Sequence, residues 1–294
     1  MPFNRSLAEL LAPHVKLDLS NLAERSRSLF MAKPPDVLQH YTSLDGAAAI
    51  VSSRSIRLTK FTYLNDQAEF HHAVQLLRVT LRRVCKNTDK DVVRRLLEPM
   101  IEDMDRFSAI NICVASFCED NDLLSQWQSY GGAGKGVALG FSGSALTAIT
   151  ALGWAGLFRC VYNRQDQQQI VTDLVLMLIV AQEAASTHTP AEVADDLLDT
   201  LRDRFYATFL QVAFVLKNDH FIAEQEWRLV TGPMSFLDGR FQATVSTARI
   251  SAYFVHKFTV EAGKYRFLKE ITLGPGADRD RLSECTAPGY LDTR

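Results

Sequence analysis

The order of its elements predicts that this chain is an α+β protein. After an N-terminal helical segment come strands, then helices, then strands again, and a long helical stretch separates these from the last strands. Residues 110–118 are nearly all apolar, as in a central buried strand. Residues 165–183 and 191–217 carry helical patterns, and no internal repeat is visible. We therefore expect these helices to form an insertion or cap and not an independent domain.

The remaining elements follow from apolar spacing and from turn residues. Strands are predicted at residues 37–41, 55–58, 137–141, 157–162, 227–231, 250–258 and 267–273. Helices are predicted at residues 7–30, 44–51, 66–84, 89–107 and 123–130, with Ser43 capping the second. The predicted organisation is an N-terminal helical extension (1–33), one α+β domain (34–280) with a helical insertion at about 165–217, and a C-terminal tail (281–294).

Composition places the chain among globular proteins with a substantial core. It has 294 residues, 47% hydrophobic and 22% charged, and a formal net charge of -2, which gives no global attraction to nucleic acid or anionic membranes. Its five cysteines are irregularly spaced, which favours reduced thiols and a cytoplasmic protein. No signal peptide is apparent, and the apolar run at 175–181 is shorter than the roughly 20 residues that cross a bilayer.

The acidic doublet of Glu224 and Glu226, followed by Trp227 and Arg228, is the most informative motif. On an extended segment, residues i and i+2 point to the same face, so the two carboxylates are expected to lie together. Such a pair is common where a sugar hydroxyl is held and a developing positive charge is stabilised. The alternative is an exposed strand edge on which Arg228 neutralises a neighbour.

Other candidates combine hydroxyl, aromatic and imidazole groups at the ends of elements. His40 ends the first strand, where it either reaches a ribose hydroxyl or is a half-buried structural residue. Tyr63 is placed to stack on a flat ring, and Asn65 or Asp66 with Glu69 fits a capping pattern. The further candidates are Tyr41, Thr42, Ser116, Trp127 and Tyr130, for which core packing or backbone hydrogen bonding is the alternative.

Two further patterns, an arginine cluster and a histidine pair, have simpler interpretations than a ligand site. Arg78, Arg82, Arg83, Arg94 and Arg95 lie on two successive predicted helices, as either a phosphate-contacting patch or, more simply, a solvated face. His71 and His72 are neighbours on a predicted helix and so point about 100° apart, which does not suit a shared metal. The sequence predicts no metal site.

These motifs together resemble an uncharacterised bacterial family, the one labelled domain of unknown function 2971. The matching residues, in the family's order, are His40–Ser43, Leu64–Asp66 with Glu69, Ser116–Cys118, Trp127, Tyr130 and Gly131, Lys135–Val137, Gly140 and Phe141, Lys217, Glu224–Arg228 and Ile271–Pro275. That family is in turn similar to the ADP-ribosyltransferase superfamily, whose fold is a split pair of antiparallel sheets with NAD between them. The chain combines features of two branches: an early histidine, and a Glu-x-Glu pair with a serine on an earlier strand.

The resemblance implies a site and a reaction. Glu226 would hydrogen-bond the ribose 2'-hydroxyl, Glu224 would act as general base, and His40 would hold a ribose hydroxyl. Tyr63 would pack on nicotinamide, and Arg228 would contact phosphate or neutralise Glu224. Tyr41, Thr42, Asn65, Ser116, Trp127 and Tyr130 would complete the NAD site.

Three functions follow as hypotheses. The first is an NAD-consuming enzyme that transfers ADP-ribose to an unidentified protein or nucleic-acid acceptor, or hydrolyses NAD; such activities suit toxins and phage-defence effectors. The second is a catalytically silent module that binds a nucleotide or a partner in the same cleft. The third is a nucleic-acid-binding protein that uses the arginine-rich helices.

Overall fold

The computed structural model describes residues 17–64, 67–104, 107, 110–186, 194–235, 237–245, 250–258 and 267–277. Within these residues the chain is α+β, as predicted, with a large antiparallel sheet flanked by helices. The strands are β1 (Val37–Thr42), β2 (Ser55–Lys60), β3 (Cys113–Cys118), β4 (Val137–Ser142), β5 (Ala155–Arg159), β6 (Glu226–Thr231), β7 (Phe241–Val245), β8 (Ile250–Lys257) and β9 (Leu268–Leu273).

The sheet divides at β3. Along one edge β3 pairs with β6, which pairs in turn with β5. Along the other edge β3 pairs first with β2, at Val114, and then with β1, at Cys118. Strands β8 and β7 continue outward from β2, whereas β4 and β9 continue from β1. Two arms of the sheet therefore separate on either side of Ser116.

The helices are α1 (Glu24–Phe30), α2 (Leu44–Ser53), α3 (Gln67–Asn87), α4 (Asp91–Glu102), α5 (Leu124–Ser129), α6 (Gly143–Thr150), α7 (Arg164–Ser186) and α8 (Ala194–Ala213). Helices α3, α4, α7 and α8 share one apolar core with Val114, Phe158 and Val230 of the sheet. The opposite face of the sheet carries a second core, which includes Phe117, Phe141 and Trp227. The predicted cap thus packs directly on the sheet, beside the fork at β3.

Helix α7 covers the predicted helix at residues 165–183 and extends it to Ser186. Among the described residues it is the one helix long and apolar enough to cross a membrane by length and composition. Its hydrogen bonds are those of a core helix: Asp173 accepts from Ser26, Thr172 accepts from Arg83, and Gln168 donates to Thr80. Such a helix is weak evidence for a membrane span, because the core helix of a globular protein passes the same test.

Two elements were not predicted, and one prediction is only partly described. Helix α6 begins directly after β4, and β7 pairs with β8 along the outer edge of one arm. Residues 1–16 lie outside the described part of the chain, and of the predicted first helix only α1 is described as α-helix. Ser43 caps α2 as predicted, since its hydroxyl accepts a hydrogen bond from the Gly46 amide.

Candidate functional site

Five charged side chains form a buried network where α8 returns to the sheet. Nζ of Lys217 lies 2.7 Å from Oε2 of Glu224 and 2.6 Å from Oε2 of Glu226. Arg228 binds Glu226 through Nε at 2.8 Å, and it binds Glu69 of α3 through a terminal nitrogen at 2.9 Å. Glu69 also lies 3.6 Å from Lys217. All five residues are at most 9% exposed, so their charges are screened by one another more than by water.

The backbone that brings Glu224 and Glu226 together is not the extended segment we predicted. Glu224 ends a 3-10 turn (Asp219–Glu224), Gln225 has a φ of 41°, and Glu226 begins β6. Asn218 caps the turn by accepting a hydrogen bond from the His220 amide. The carboxylates converge because both bind Lys217, and not because they alternate along a strand.

The charge balance keeps these groups ionised. Burial opposes the charge on Glu226, but Arg228 and Lys217 outweigh it and lower its pKa to about 2. Burial also opposes the charge on Lys217, yet Glu226 and Glu69 raise its pKa. Glu226 is therefore a carboxylate at neutral pH, and both of its oxygens accept hydrogen bonds from Lys217 or Arg228.

Glu224 is placed differently within the same network. Its Oε2 accepts a hydrogen bond from Lys217, whereas its Oε1 accepts none from the described residues. The neighbouring Gln225 is exposed and lines an open cleft of about 450 Å³. Of the two predicted catalytic carboxylates, Glu224 is thus the one with an uncommitted oxygen, and it directly precedes a residue that lines the cleft.

The cleft lies where β3 ends and β6 begins. Its walls come from the start of β1, the turn after β3, and β9, and they carry acidic and amide groups. The lining residues are Val37, Gln39, Glu119, Asp120, Asn121, Gln225 and Glu270. A volume of this size is typical of small-molecule sites.

His40 and Glu226 do not share a crevice, so they cannot both hold the ribose of one NAD molecule as the resemblance implied. Gln39 and Glu226 both pair directly with Cys118, so their side chains lie on the same face of the sheet. His40, the next residue along β1, therefore points to the opposite face, where its ring packs against Phe117 and Phe141.

The imidazole of His40 has a structural partner at the fork. Its Nδ1 lies 2.9 Å from the carbonyl oxygen of Ser116, which accepts the hydrogen bond. Burial lowers the pKa of His40, and the bond to Ser116 only partly offsets this. A neutral His40 thus holds a backbone carbonyl at the point where β1 and β2 separate.

Tyr41 and Trp127 support the turn that borders the cleft. The Tyr41 hydroxyl donates to the carbonyl of Asp120 and accepts from the Leu123 amide. The Trp127 ring packs edge-on against the Tyr41 ring, with 4.7 Å between the ring centroids, and its Nε1 donates a hydrogen bond to Asp122. Burial raises the pKa of Tyr41 to about 12. Both aromatic residues are less than 9% exposed, so they pack in the protein core, which was the alternative to ligand binding.

The remaining predicted residues that the structure describes lie on separate elements. Ser116 is exposed on the face that carries Arg228, its partner on β6. Thr42 ends β1, and Tyr63 ends the 3-10 turn after β2. Tyr130 follows α5 and is 43% exposed. Asn65 lies outside the described residues.

Arg228 neutralises Glu226 and Glu69 and not Glu224, the partner proposed from the sequence. It also donates to the carbonyl of Phe214 and is 2% exposed, so it is not presented to a ligand phosphate. Strand β6 pairs on both sides, which excludes the exposed-edge alternative.

Sequence reasoning gave no role to Lys217, Gln39 or Glu270. Lys217 and Glu69 were present in the motif pattern, but only three-dimensional structure shows that a lysine after α8 joins carboxylates from a turn, a strand and α3. Among the described residues, no group of three or more His, Cys, Asp or Glu is arranged to hold a metal ion.

Residues 126–229 match a family model described as "Protein of unknown function (DUF2971)". The matched segment includes Trp127, helices α7 and α8, and the network residues from Lys217 to Arg228. It supports the family that the sequence motifs indicated. No curated protein and no solved structure matches the chain.

Proposed function

We propose that this protein binds NAD and cleaves its nicotinamide–ribose bond, with Glu224 as the carboxylate that faces the substrate. The observation that carries the proposal is the position of Glu224. One oxygen is held by Lys217, the other is uncommitted, and the adjacent Gln225 lines an open cleft. The likeness of the motifs to ADP-ribosyltransferases supplies the choice of NAD.

The electrostatics of the cleft suit the reacting end of NAD. The nicotinamide ring of oxidised NAD is a cation, and bond cleavage gives the ribose oxocarbenium character. Glu119, Asp120 and Glu270 line the cleft, so a positive charge there is favoured. The amides of Gln39, Asn121 and Gln225 offer partners for hydroxyl and carboxamide groups.

In this proposal the bonds change as follows. The bond between the anomeric carbon and the nicotinamide nitrogen breaks, and its electron pair leaves with neutral nicotinamide. Water or an acceptor hydroxyl or amine then forms a bond to the anomeric carbon. Glu224 accepts the proton that the nucleophile loses.

The other charged residues act through Glu224. Lys217 fixes one of its oxygens, and Glu226, Arg228 and Glu69 fix Lys217 and balance its charge. Glu226 is therefore a positioning residue, because both of its oxygens are already hydrogen-bonded. His40 is not assigned a catalytic role, since it faces the other side of the sheet.

The test is release of nicotinamide from NAD by purified protein. Glu224→Gln keeps the shape of the side chain and should lower the rate about a hundredfold. Asp219→Asn is the matched control, since Asp219 is exposed in the same turn and should leave the rate unchanged. Equal rates for wild type and Glu224→Gln would contradict the proposal.

The second candidate is a binding module without catalysis. Two observations favour it: both oxygens of Glu226 already accept hydrogen bonds within the protein, and His40 lies on the opposite face of the sheet from Glu226. NAD would then raise the melting temperature without any release of nicotinamide. Release by the wild type would exclude it.

A further inference from the structure

The acidic cleft contains a buried amide oxygen with no partner. Gln39 is 3% exposed, and its Nε2 donates to Oε1 of Glu270 at 2.6 Å. Its Oε1 accepts no hydrogen bond from the described residues. A buried oxygen of this kind is costly unless a donor reaches it. Because Gln39 lines the cleft, rotation of its amide would present this oxygen to a donor from a ligand there.

A glycine between two of the strands that line the cleft leaves room for the side chains of Gln39 and Glu270. Gly140 on β4 pairs directly with Gln39 on one side and Glu270 on the other. A Cβ at Gly140 would lie 2.4 Å from Glu270, 2.9 Å from Val37 and 3.3 Å from Oε1 of Gln39. Glycine inside a strand often marks such a close approach.

The carboxylates of the cleft each have one oxygen already in use. Oε1 of Glu119 accepts from the Trp227 indole, Oδ1 of Asp120 accepts from the Asp122 amide, and Oε1 of Glu270 accepts from Gln39. A planar guanidinium binds best to both oxygens of one carboxylate, which is not offered here. A primary ammonium group has three donors in separate directions and matches single oxygens from several residues.

We propose that this cleft binds a primary ammonium group, with the orphaned Gln39 oxygen and single oxygens of Asp120 and Glu270 as acceptors. The inference concerns the same cleft as the proposed function but does not require that NAD be cleaved. An ammonium ligand would occupy the position of the cationic ring and compete with NAD.

Calorimetric titration of the full chain with putrescine, in the absence of NAD, tests the proposal. Binding is expected, and Glu270→Gln and Asp120→Asn should each weaken it about fivefold. Glu98→Gln, an exposed carboxylate on α4, is the control and should leave binding unchanged. Gln39→Leu should weaken binding as well. If that variant does not fold, the two exposed carboxylate variants decide the matter alone.

The source of the ammonium group is distinguished by a second titration with N-acetyl-lysine methylamide. Tighter binding of putrescine indicates a free amine, and tighter binding of the lysine derivative indicates a side chain of a partner. Binding of neither compound, or equal binding by wild type and both carboxylate variants, would overturn the inference. Nicotinamide release alongside failed amine binding would leave the proposed function standing.

Discussion

The side chains of His40 and Glu226 lie on opposite faces of one sheet, with β3 between the strands that carry them. His40 belongs to the aromatic core beside Phe117, whereas Glu226 belongs to the buried ionic network. The early histidine and the late acidic doublet are therefore linked through the backbone of β3 and do not meet in one site.

A substitution at His40 should affect stability and not nicotinamide release. His40→Leu removes the hydrogen bond to the Ser116 carbonyl, which should lower the free energy of unfolding by about 1 kcal/mol or more. Urea denaturation measures this, with His220→Leu as an exposed control. A hundredfold loss of nicotinamide release from folded His40→Leu would place the imidazole in the reaction and contradict the assignment.

Lys217 should contribute far more to stability than a surface lysine. Lys217→Met leaves Glu224 and Glu226 buried without their shared cation, which should cost about 3–5 kcal/mol of unfolding free energy. Lys90→Met is the control because Lys90 pairs with Glu183 at 2.5 Å on the surface, where a pair is worth about 0–1 kcal/mol. Urea denaturation measures the unfolding free energy of both variants. Similar losses would show that the buried network stabilises the fold no more than a surface ion pair does.

Stability should fall in acid because of Glu226. Its pKa is lowered to about 2 in the folded protein from an ordinary value of 4.5. The stabilisation is therefore complete above about pH 4.5 and is lost as the pH falls toward 2, by about 3 kcal/mol in total. Melting temperatures across this window measure it. Glu226→Gln should be less stable at neutral pH and should show a shallower acid decline; an unchanged decline would refute the link.

His256 should add a second, milder dependence on pH. Burial, assisted by Arg240, lowers its pKa from 6.5 to about 4. The unfolded chain then binds the proton more readily than the folded chain. The contribution of neutral His256 to stability is therefore fully present above pH 6.5 and is lost as the pH falls toward 4. Because the ring is partly exposed, we expect a loss of about 1 kcal/mol, or about 2 °C in melting temperature. The His256→Phe variant should lack this decline, and its persistence there would assign the effect to another group.

Local patterns were sufficient to predict most strands and helices. Period-two alternation and apolar runs located β1, β3, β4 and β6, and the Ser43 cap marked the start of α2. Strand β7 was missed although residues 241–245 alternate between apolar and polar side chains, because a single run of five residues at an outer edge is a short signal. Helix α6 was missed because its small and hydroxyl residues, at 143–150, resemble a loop in composition.

The site was harder to predict because it depends on pairing register. A shift of one residue along β1 decides whether Gln39 or His40 faces Glu226, and no local pattern fixes that register. The role of Lys217 depends on where α8 ends relative to β6. The turn at Gln225, with its positive φ, likewise replaces the extended segment that the sequence suggested.

In the proposed reaction the carboxylate of Glu224 faces NAD and takes part in its cleavage. Single-turnover release of nicotinamide, compared between wild type and folded Glu224→Gln, tests this most directly. We predict release by the wild type and a rate about a hundredfold lower in the variant. Absence of release from the wild type, with no effect of NAD on its melting temperature, would rule out this role of Glu224.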